Sequence, residues 1–503
     1  MAFFVFLVSI VLLFGLCVLG ICKASPVKRI GKSKLYTWLP GIKPMRYELE
    51  KYAQCGYEKV NKSKQQPFLL DFFGHDYLML PPKYIEELRR GDAQQASFER
   101  SFSDALNISA TVGDLYLAGI MEKVTVKHLG QSALSKWQSV TEGSPIYTSR
   151  KLRIDEDWKS ITAAKAISMI VHRVTNLVLV GQELSRSEDY IETSQRFSST
   201  LLPAGVWTNF IYLGPLRNMF ARWTTFFHRW ELEKCVKILM PVIQERLRKR
   251  EKGEGNDEDA IQWTIDAAFA TGNTREIWPR RIAENVLHLL FAANSAPGAL
   301  ATQMLYQLLM DPGYLEPLRD EIRAALAAEG GWNAAAMDKM ALLDSFVRET
   351  VRMYPPGSIA CTRTIQKVDL TFRDGMRLPV NSRFAFPVLA IQMDPDNYHS
   401  PRVFDGYRFV DRLADGSFKT KVLSTTVTPS YLALGYGKHA CPGRFFGILK
   451  AKLVFAKLIT NYELKWPSSL AERPPNVSIE GMVPPNQQQV ILVRNIVSTV
   501  LSR

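Results

Sequence analysis

The strongest constraint in the sequence is a glycine-rich loop that surrounds one cysteine and runs into a predicted helix. Gly435, Gly437 and Gly443 flank Cys441, and a helical apolar pattern begins just beyond it. Glycine lets the backbone approach a flat ligand closely. A thiol at the start of a helix meets backbone N–H groups and the positive end of the helix dipole, which favour the thiolate, the form that binds a metal. Cys441 is therefore predicted to be an anion at a ligand site.

Two other interpretations of this loop fit its sequence less well than metal binding does. A buried free cysteine that acts as a small hydrophobe suits Cys55, Cys235 and Cys361 better than Cys441. The loop also matches the dinucleotide pattern GxGxxG/A, but that pattern needs a preceding strand, a crossover helix and a second strand ending in an acid. Residues 443–463 instead continue as one helical pattern, which favours the metal ligand.

The loop resembles that of the cytochrome P-450 family, the heme-thiolate proteins, whose pattern is FxxGxRxCxG. The chain departs from this pattern at Leu434, in place of Phe, and at His439, in place of Arg. Histidine can still donate a hydrogen bond to a heme propionate, although it is a weaker and pH-dependent cation. The resemblance implies heme b as the cofactor, with Cys441 as the iron ligand and Gly437, His439 and Gly443 beside the heme.

Three further segments resemble the same family and follow in the family's order. In SFVRETVRMYPP, Glu349 and Arg352 lie three apart and share one face of a helix. In FDGYRF, Arg408 takes the position of the family's arginine that closes a buried network with that pair, and Arg363 in SIACTRTI resembles a second propionate partner. An isolated ExxR pair is usually a surface ion pair of little energy, so the argument depends on the order of the segments.

The start of the chain predicts a membrane anchor. Residues 2–22 carry no charge and only Ser9 as a polar side chain, and about 20 apolar residues cross a bilayer. Seven basic residues and no acid follow between Lys23 and Arg46, half of the formal net charge of +14. Basic residues stay on the cytoplasmic side, whereas a cleaved signal peptide, the alternative, would carry them before its apolar core.

The charge distribution therefore indicates a membrane partner and no nucleic acid. The resemblance extends over the whole chain and implies a mainly α fold with a small β-sheet region, the cytochrome P-450 fold, preceded by a single N-terminal transmembrane helix. The expected location is the endoplasmic reticulum membrane, single-pass, with the catalytic domain in the cytosol. The predicted parts are a transmembrane anchor at 2–22, a basic and proline-containing hinge at 23–46, and the heme-thiolate catalytic domain at 47–503.

The periodicity of apolar residues predicts the secondary structure of the chain. Most of residues 155–350 shows helical apolar spacing, interrupted by a charged loop at 251–259. Between Thr362 and Pro387 the pattern shortens to β-branched and aromatic runs, which predict hairpins. Val490 to Val493 is predicted to be another short strand.

The predicted central helix, Ile282 to Met310, departs from the family's distal pattern [AG]GxD/ETT, whose acid and threonine relay protons to dioxygen. Its middle reads LLFAANSAPGALATQML, without that pair. Ala296 takes the threonine place and Ser295 the acid place; in a register two residues earlier, Asn294 takes the threonine place. Pro297 is predicted to kink the helix and free a carbonyl for a water.

Asn294 or Ser295 would then organise a proton-delivering water, so residues 294–297 are the predicted catalytic segment. The alternative is that Asn294 and Ser295 only satisfy carbonyls freed by the kink. Some family members with an altered pair rearrange or dehydrate their substrates without adding oxygen. A heme-thiolate isomerase or dehydratase is therefore the alternative function, and a non-enzymatic heme sensor is a third.

The resemblance implies a monooxygenase that oxidises an apolar small molecule, a terpenoid or polyketide of fungal secondary metabolism, with O2. Electrons would come from a separate NADPH-dependent flavoprotein reductase. The apolar segment 201–220 is predicted to roof the substrate pocket, with a core helix as the alternative. Lys438, Arg444, Lys450 and Lys452 are predicted to attract the acidic reductase, with a solvated basic surface as the alternative.

Overall fold

The computed structural model describes residues 27–31, 41–42, 49–90, 95–129, 157–212, 217–254, 257–470 and 472–496. The predicted anchor at 2–22 lies outside the described residues, as does most of the hinge at 23–46. Among the described residues, one helix, Ala163–Arg186, is long and apolar enough to cross a membrane, but most of its apolar window is buried inside the protein. That helix is therefore part of the core.

Helices dominate the described residues, as the sequence predicts. The α-helices α1 to α16 are, in chain order, Leu49–Gly56, Ile85–Arg90, Phe98–Leu106, Ser109–Val112, Ile120–His128, Ala163–Arg186, Glu188–Phe210, Arg217–Thr224, Phe226–Glu251, Ala260–Phe269, Pro279–Met310, Leu315–Glu329, Ala334–Asp338, Ala341–Met353, Val388–Gln392 and Arg444–Asn461. The strands β1 to β14 are Gly41–Ile42, Phe68–Phe72, His75–Met79, Ala96–Ser97, Lys159–Thr162, Ile211–Tyr212, Ala360–Ile365, Leu370–Thr371, Arg377–Leu378, Arg383–Phe386, Val410–Arg412, Phe418–Thr420, Tyr462–Lys465 and Val490–Asn495.

The strands form several small sheets, and β2 and β3 contribute buried residues to the core. The largest has five strands in the order β2-β3-β10-β7-β4, with β3 and β10 parallel and its other pairs antiparallel. A three-stranded sheet has the order β13-β14-β5. The hairpins predicted between Thr362 and Pro387 are confirmed as β7 to β10, and the strand predicted at Val490 is β14.

The helix α11 forms the centre of the fold and packs against α6, α9, α14 and α16. Its observed range, Pro279–Met310, confirms the predicted helix to within three residues. It continues through Pro297 as one helix of 32 residues. The charged loop predicted at 251–259 is confirmed for its described residues other than Glu251, which is the last residue of α9; α10 begins at Ala260.

A buried ion network fixes α14 to the segment that precedes β11. Arg352 Nε and Nη2 donate to the two carboxylate oxygens of Glu349 at 2.7 and 2.8 Å, and both side chains are fully buried. Arg408 Nε approaches the same carboxylate at 3.1 Å. Glu349, Arg352 and Arg408, which the family resemblance assigns to one network, therefore form such a network in the structure.

Gln392 connects this network to the cysteine loop. Arg352 Nη1 donates to the Gln392 carbonyl at 2.8 Å, and Gln392 Nε2 donates to the Arg352 carbonyl at 2.7 Å. Gln392 Oε1 accepts the backbone N–H groups of Leu432 and Ala433 at 3.0 and 3.1 Å. The stretch of chain that leads into the cysteine loop is thus held by a side chain anchored on the ion network.

We expect Arg352→Ala to lower the free energy of unfolding by about 3–5 kcal/mol and to reduce heme content, because it removes a partner from a buried carboxylate. Denaturant unfolding monitored by fluorescence, together with heme absorbance, measures both effects. The matched control is Arg323→Ala: this arginine pairs with Asp320 at the surface and should cost at most about 0.5 kcal/mol. Equal losses in the two variants would contradict the role of the network.

Candidate active site

The cysteine loop is held by its own backbone hydrogen bonds. Cys441 N donates to the Leu434 carbonyl at 2.7 Å, and Ala440 N donates to the Gly437 carbonyl at 3.1 Å. A short 3₁₀ turn covers Gly437–His439. The helix α16 begins three residues after Cys441, so the cysteine stands just before the helix N-terminus, as predicted.

Two glycines in this loop are required by the backbone and its neighbours. Gly435 has φ 78°, and a Cβ there would lie 2.9 Å from the His439 carbonyl oxygen. Gly437 has φ 65°, and a Cβ there would lie 2.8 Å from Arg89 Cα in α2. Gly443 differs, with φ −85°. For Gly435 and Gly437, close packing of the protein itself already explains the glycine, whatever ligand lies beside the loop.

Cys441 is accessible, while Cys235 is buried in the core. Enough protein surrounds the Cys441 sulfur that burial raises the pKa of the thiol, although the N–H groups of Gly443 and Arg444 and the Arg444 charge act in the opposite direction. The expected effect of the helix start is therefore present but outweighed. The N–H groups at the helix start thus favour the thiolate, as expected, while burial of the sulfur acts against it; that Cys441 is an anion stays a prediction.

One face of α11 is accessible although the helix runs through the core. Ala292, Ser295 and Ala296 are exposed, at the i, i+3 and i+4 spacing of a single helix face. We call the space that they border the distal opening. Ser295 and Ala296 are predicted site residues, whereas Ala292 was not singled out from the sequence, even though its spacing from Ser295 would have placed it on the same face.

Asn294 lies on a different side of α11, towards α6. It is buried, and its Nδ2 lies 2.8 Å from His172 Nδ1. His172 Nε2 lies 3.2 Å from the Ile191 carbonyl, which only an N–H can satisfy, so Nδ1 accepts from Asn294. Burial lowers the pKa of His172 to about 4, which keeps it neutral at pH 7. The structure thus brings Asn294 to a neutral histidine of the core, away from the two other predicted side chains.

The carbonyl freed by Pro297 is also occupied by protein. Proline has no N–H, so the Ala293 carbonyl, four residues earlier, loses its helical partner. Lys450 Nζ donates to that oxygen at 2.6 Å. Lys450, a buried residue of α16, therefore supplies a donor to the carbonyl for which the sequence predicts a water.

The predicted basic docking face is also corrected. Lys450 is fully buried, and Lys452 is buried with its ammonium 3.0 Å from the Asp344 carboxylate. Lys438 is exposed and Arg444 half-buried. Two of the four predicted charges therefore cannot attract a partner at the surface, because α16 is packed into the core on the sides that carry them.

Arg363 and His439, the two predicted propionate partners, line one small cavity together. Arg363 is buried, and Nη1 donates to the Thr362 carbonyl at 2.7 Å, while within the described residues no carboxylate forms an ion pair with it. Burial lowers the pKa of His439, and the neighbouring Arg363 charge lowers it further. A buried cation that no carboxylate of the described residues bonds directly, although the Glu99 charge acts on it, fits an anionic group such as a heme propionate.

The predicted pocket roof is the end of α7, the strand β6 and the start of α8, rather than a plain connection. Leu201 is buried, so part of this segment belongs to the core. Large aromatic side chains stand exposed on α7, α8 and the start of α9. This aromatic surface consists of Trp207, Phe220, Trp223, Phe226, Phe227 and Trp230.

Comparison with known proteins gives one consistent family. The family description Cytochrome P-450 matches residues 121–492. The chain is 37% identical to the cytochrome P-450 monooxygenase sirB of Leptosphaeria maculans, over 93% of this chain and 90% of that protein. It is 32% identical to the cytochrome P-450 monooxygenase ccsG of Aspergillus clavatus, over 83% and 82%. It is 27% identical to an ent-kaurene oxidase of Fusarium fujikuroi, over 86% and 82%.

We expect Gly437→Ala to destabilise the protein and reduce its heme content, because the new methyl group meets the backbone of α2. The control is Gly375→Ala, which has a similar positive φ of 85° but open space around it. Backbone strain alone should cost about 1–2 kcal/mol in both variants, and the clash should add about 1–3 kcal/mol at Gly437 only. Denaturant unfolding and heme absorbance measure the difference, and indistinguishable variants would refute the packing argument.

Proposed function

We propose that this chain, which belongs to the cytochrome P-450 family and is a monooxygenase, oxidises an apolar small molecule, a terpenoid or polyketide of fungal secondary metabolism. The proposed oxidant is O2, with electrons from a separate NADPH-dependent flavoprotein reductase. The observation that supports this most is the pairing of an accessible Cys441 before α16 with an accessible, largely apolar face on α11.

Each part of the site has a proposed role in holding the cofactor. Cys441 binds the iron of heme b, and the buried Arg363 with His439 binds the propionates. Thiolate-bound heme supplies the oxygen chemistry, since electron donation from the sulfur favours O–O cleavage. Gly435 and Gly437 keep the cysteine loop compact, so that the sulfur is presented at a fixed place.

The distal residues divide into two proposed roles. Ser295 places a hydroxyl on the face of α11 that borders the distal opening, and it can hold a water or pass a proton there. Ala296, which takes the threonine place, has no hydroxyl and leaves room for that water. Asn294 supports the helix from behind through His172. The proposed proton path therefore runs through Ser295 rather than Asn294.

The aromatic surface supports a proposed contact with the membrane. Aromatic side chains are favoured at the interface between lipid and water, and six of them stand exposed on α7 to α9. Together with the predicted anchor at 2–22, this surface would hold the pocket roof against the bilayer, where an apolar substrate accumulates. The proposed location is the endoplasmic reticulum membrane, with the catalytic domain in the cytosol.

Labelled dioxygen tests the proposed reaction. With an NADPH-dependent reductase and a library of apolar metabolites, the product should carry one labelled oxygen atom and should require NADPH. Cys441→Ser should abolish product and the absorption of the ferrous carbonyl complex that is typical of thiolate ligation, whereas Cys235→Ser should keep the absorption band. Product that forms without NADPH and without label would instead establish the isomerase or dehydratase.

Ser295→Ala should lower the amount of product formed per NADPH by about tenfold or more, with hydrogen peroxide released in its place. The physical reason is that a positioned proton-transfer group contributes about 10²–10⁴-fold. Asn294→Ala should instead lower stability with less effect on coupling, because Asn294 bonds to His172 in the core. If Asn294→Ala lowers product per NADPH and Ser295→Ala mainly lowers stability, the proton relay is Asn294 and not Ser295.

Replacing Trp223, Phe226, Phe227 and Trp230 by serine should weaken binding to phospholipid vesicles more than tenfold in protein lacking residues 2–22. The expected loss follows from the large apolar area that each aromatic ring buries on insertion. The control is Trp278→Ser, since Trp278 is also exposed but lies at the start of α11. Vesicle sedimentation measures the binding, and unchanged binding in the fourfold variant would exclude this surface.

A further inference from the structure

Pro297 leaves a gap in the hydrogen bonding of α11, in the turn that borders the distal opening. The Ala293 carbonyl would normally accept the N–H of residue 297, which proline lacks. A buried carbonyl without a donor destabilises the folded state. The turn from Ala293 to Pro297 contains Ser295 and Ala296, so any relaxation of this turn would move both side chains.

Lys450 of α16 fills the gap. Its Nζ lies 2.6 Å from the Ala293 carbonyl oxygen and 2.5 Å from Thr175 Oγ1. The Thr175 hydroxyl donates to the Val171 carbonyl at 2.7 Å, so its oxygen accepts from Lys450. The amine thus has two acceptors for two N–H bonds.

The surroundings of Lys450 do not include an acidic partner within the described residues. The side chain is fully buried, and the ring of Phe446 lies 4.5 Å from Nζ. Burial lowers the pKa of Lys450. Within the described residues, the two oxygen acceptors and the Phe446 ring are thus the groups that face the amine.

A second contact holds the same two helices together one turn away. A Cβ at Gly447 would lie 3.4 Å from Pro297 Cγ, so the proline ring fits against the glycine. Gly447 and Lys450 are three apart on α16, and Pro297 and Ala293 are four apart on α11. One turn of α16 therefore makes both contacts: Gly447 packs against the Pro297 ring, and Lys450 donates to the Ala293 carbonyl.

We propose that Lys450 replaces the backbone donor missing at Pro297 and so acts as a positioning residue for the catalytic segment. It joins the turn that carries Ser295 and Ala296 to the helix that starts beside Cys441, and thereby fixes the distance between the two sides of the site. The contact itself does not depend on the reaction; its effect on oxygen chemistry rests on the proposed function.

A cycle of variants tests this proposal in the full-length holoprotein: Lys450→Met, Pro297→Ala and the two combined. Lys450→Met should raise the unfolding equilibrium constant about tenfold or more, because it leaves the Ala293 carbonyl unpaired. Pro297→Ala supplies the missing N–H. In its presence, the factor by which Lys450→Met raises the unfolding equilibrium constant should be at least tenfold smaller. Denaturant unfolding and heme content measure the cycle.

The control is Lys452→Met, a second buried lysine of α16 that bonds to Asp344 instead. Pro297→Ala should not rescue it. The absorption spectrum of the ferric heme supplies a readout of position: it should shift in Lys450→Met and return in the double variant. Independent, additive effects of Lys450→Met and Pro297→Ala, equal rescue of Lys452→Met, or a double variant that still fails to fold would each overturn the proposal.

Turnover separates this proposal from the proposed function. If the positioning role holds, Lys450→Met should lower product per NADPH, and Pro297→Ala should restore it. If no labelled product forms with any variant while the unfolding cycle still shows rescue, the monooxygenase reaction fails and the contact between Lys450 and Ala293 stands. Rescue of product without rescue of stability would contradict the contact.

Discussion

Two arginines share the buried carboxylate of Glu349, and the position of the cysteine loop depends on this charge cluster. Arg352 also bonds to the backbone of Gln392, whose amide oxygen holds two N–H groups at the start of the loop. Removing any one member would leave a charge or an N–H group buried without its partner. Any other placement of the cysteine loop would therefore raise the free energy of the folded state. The network thus fixes the position of the loop as well as stabilising the fold.

The elements that could be predicted from the sequence are those set by local patterns. The bounds of α11, the hairpins and the start of α16 follow from periodicity, proline and glycine. Directions set by distant partners could not be predicted: Asn294 turns towards His172, which is 122 residues away in the chain. The sequence places Lys450 and Lys452 in a basic face near Cys441 that attracts a reductase, and only the packing of α16 shows that both are buried. Gln392 carried no recognisable signal.

The polar side chains in the middle of α11 lie on two sides of the helix and have different roles on each side. Behind it, Asn294, His172 and Ser194 form a buried chain of hydrogen bonds. In front, the accessible face carries two alanines and one serine. The buried polar side chains thus hold α11 in place. Its accessible face is small and mostly apolar, which suits an apolar substrate bound close to the cofactor.

The hydrogen bonds inside the cysteine loop have a further consequence for how the protein assembles. They join residues only three to seven positions apart, as from Gly437 to Ala440 and from Leu434 to Cys441. Closing such short loops costs little chain entropy, whereas the contact between Arg408 and Glu349 spans 59 positions. Because the shape of the loop itself costs little chain entropy, most of the entropic cost of building this part of the site falls on the distant contact that fixes the place of the loop.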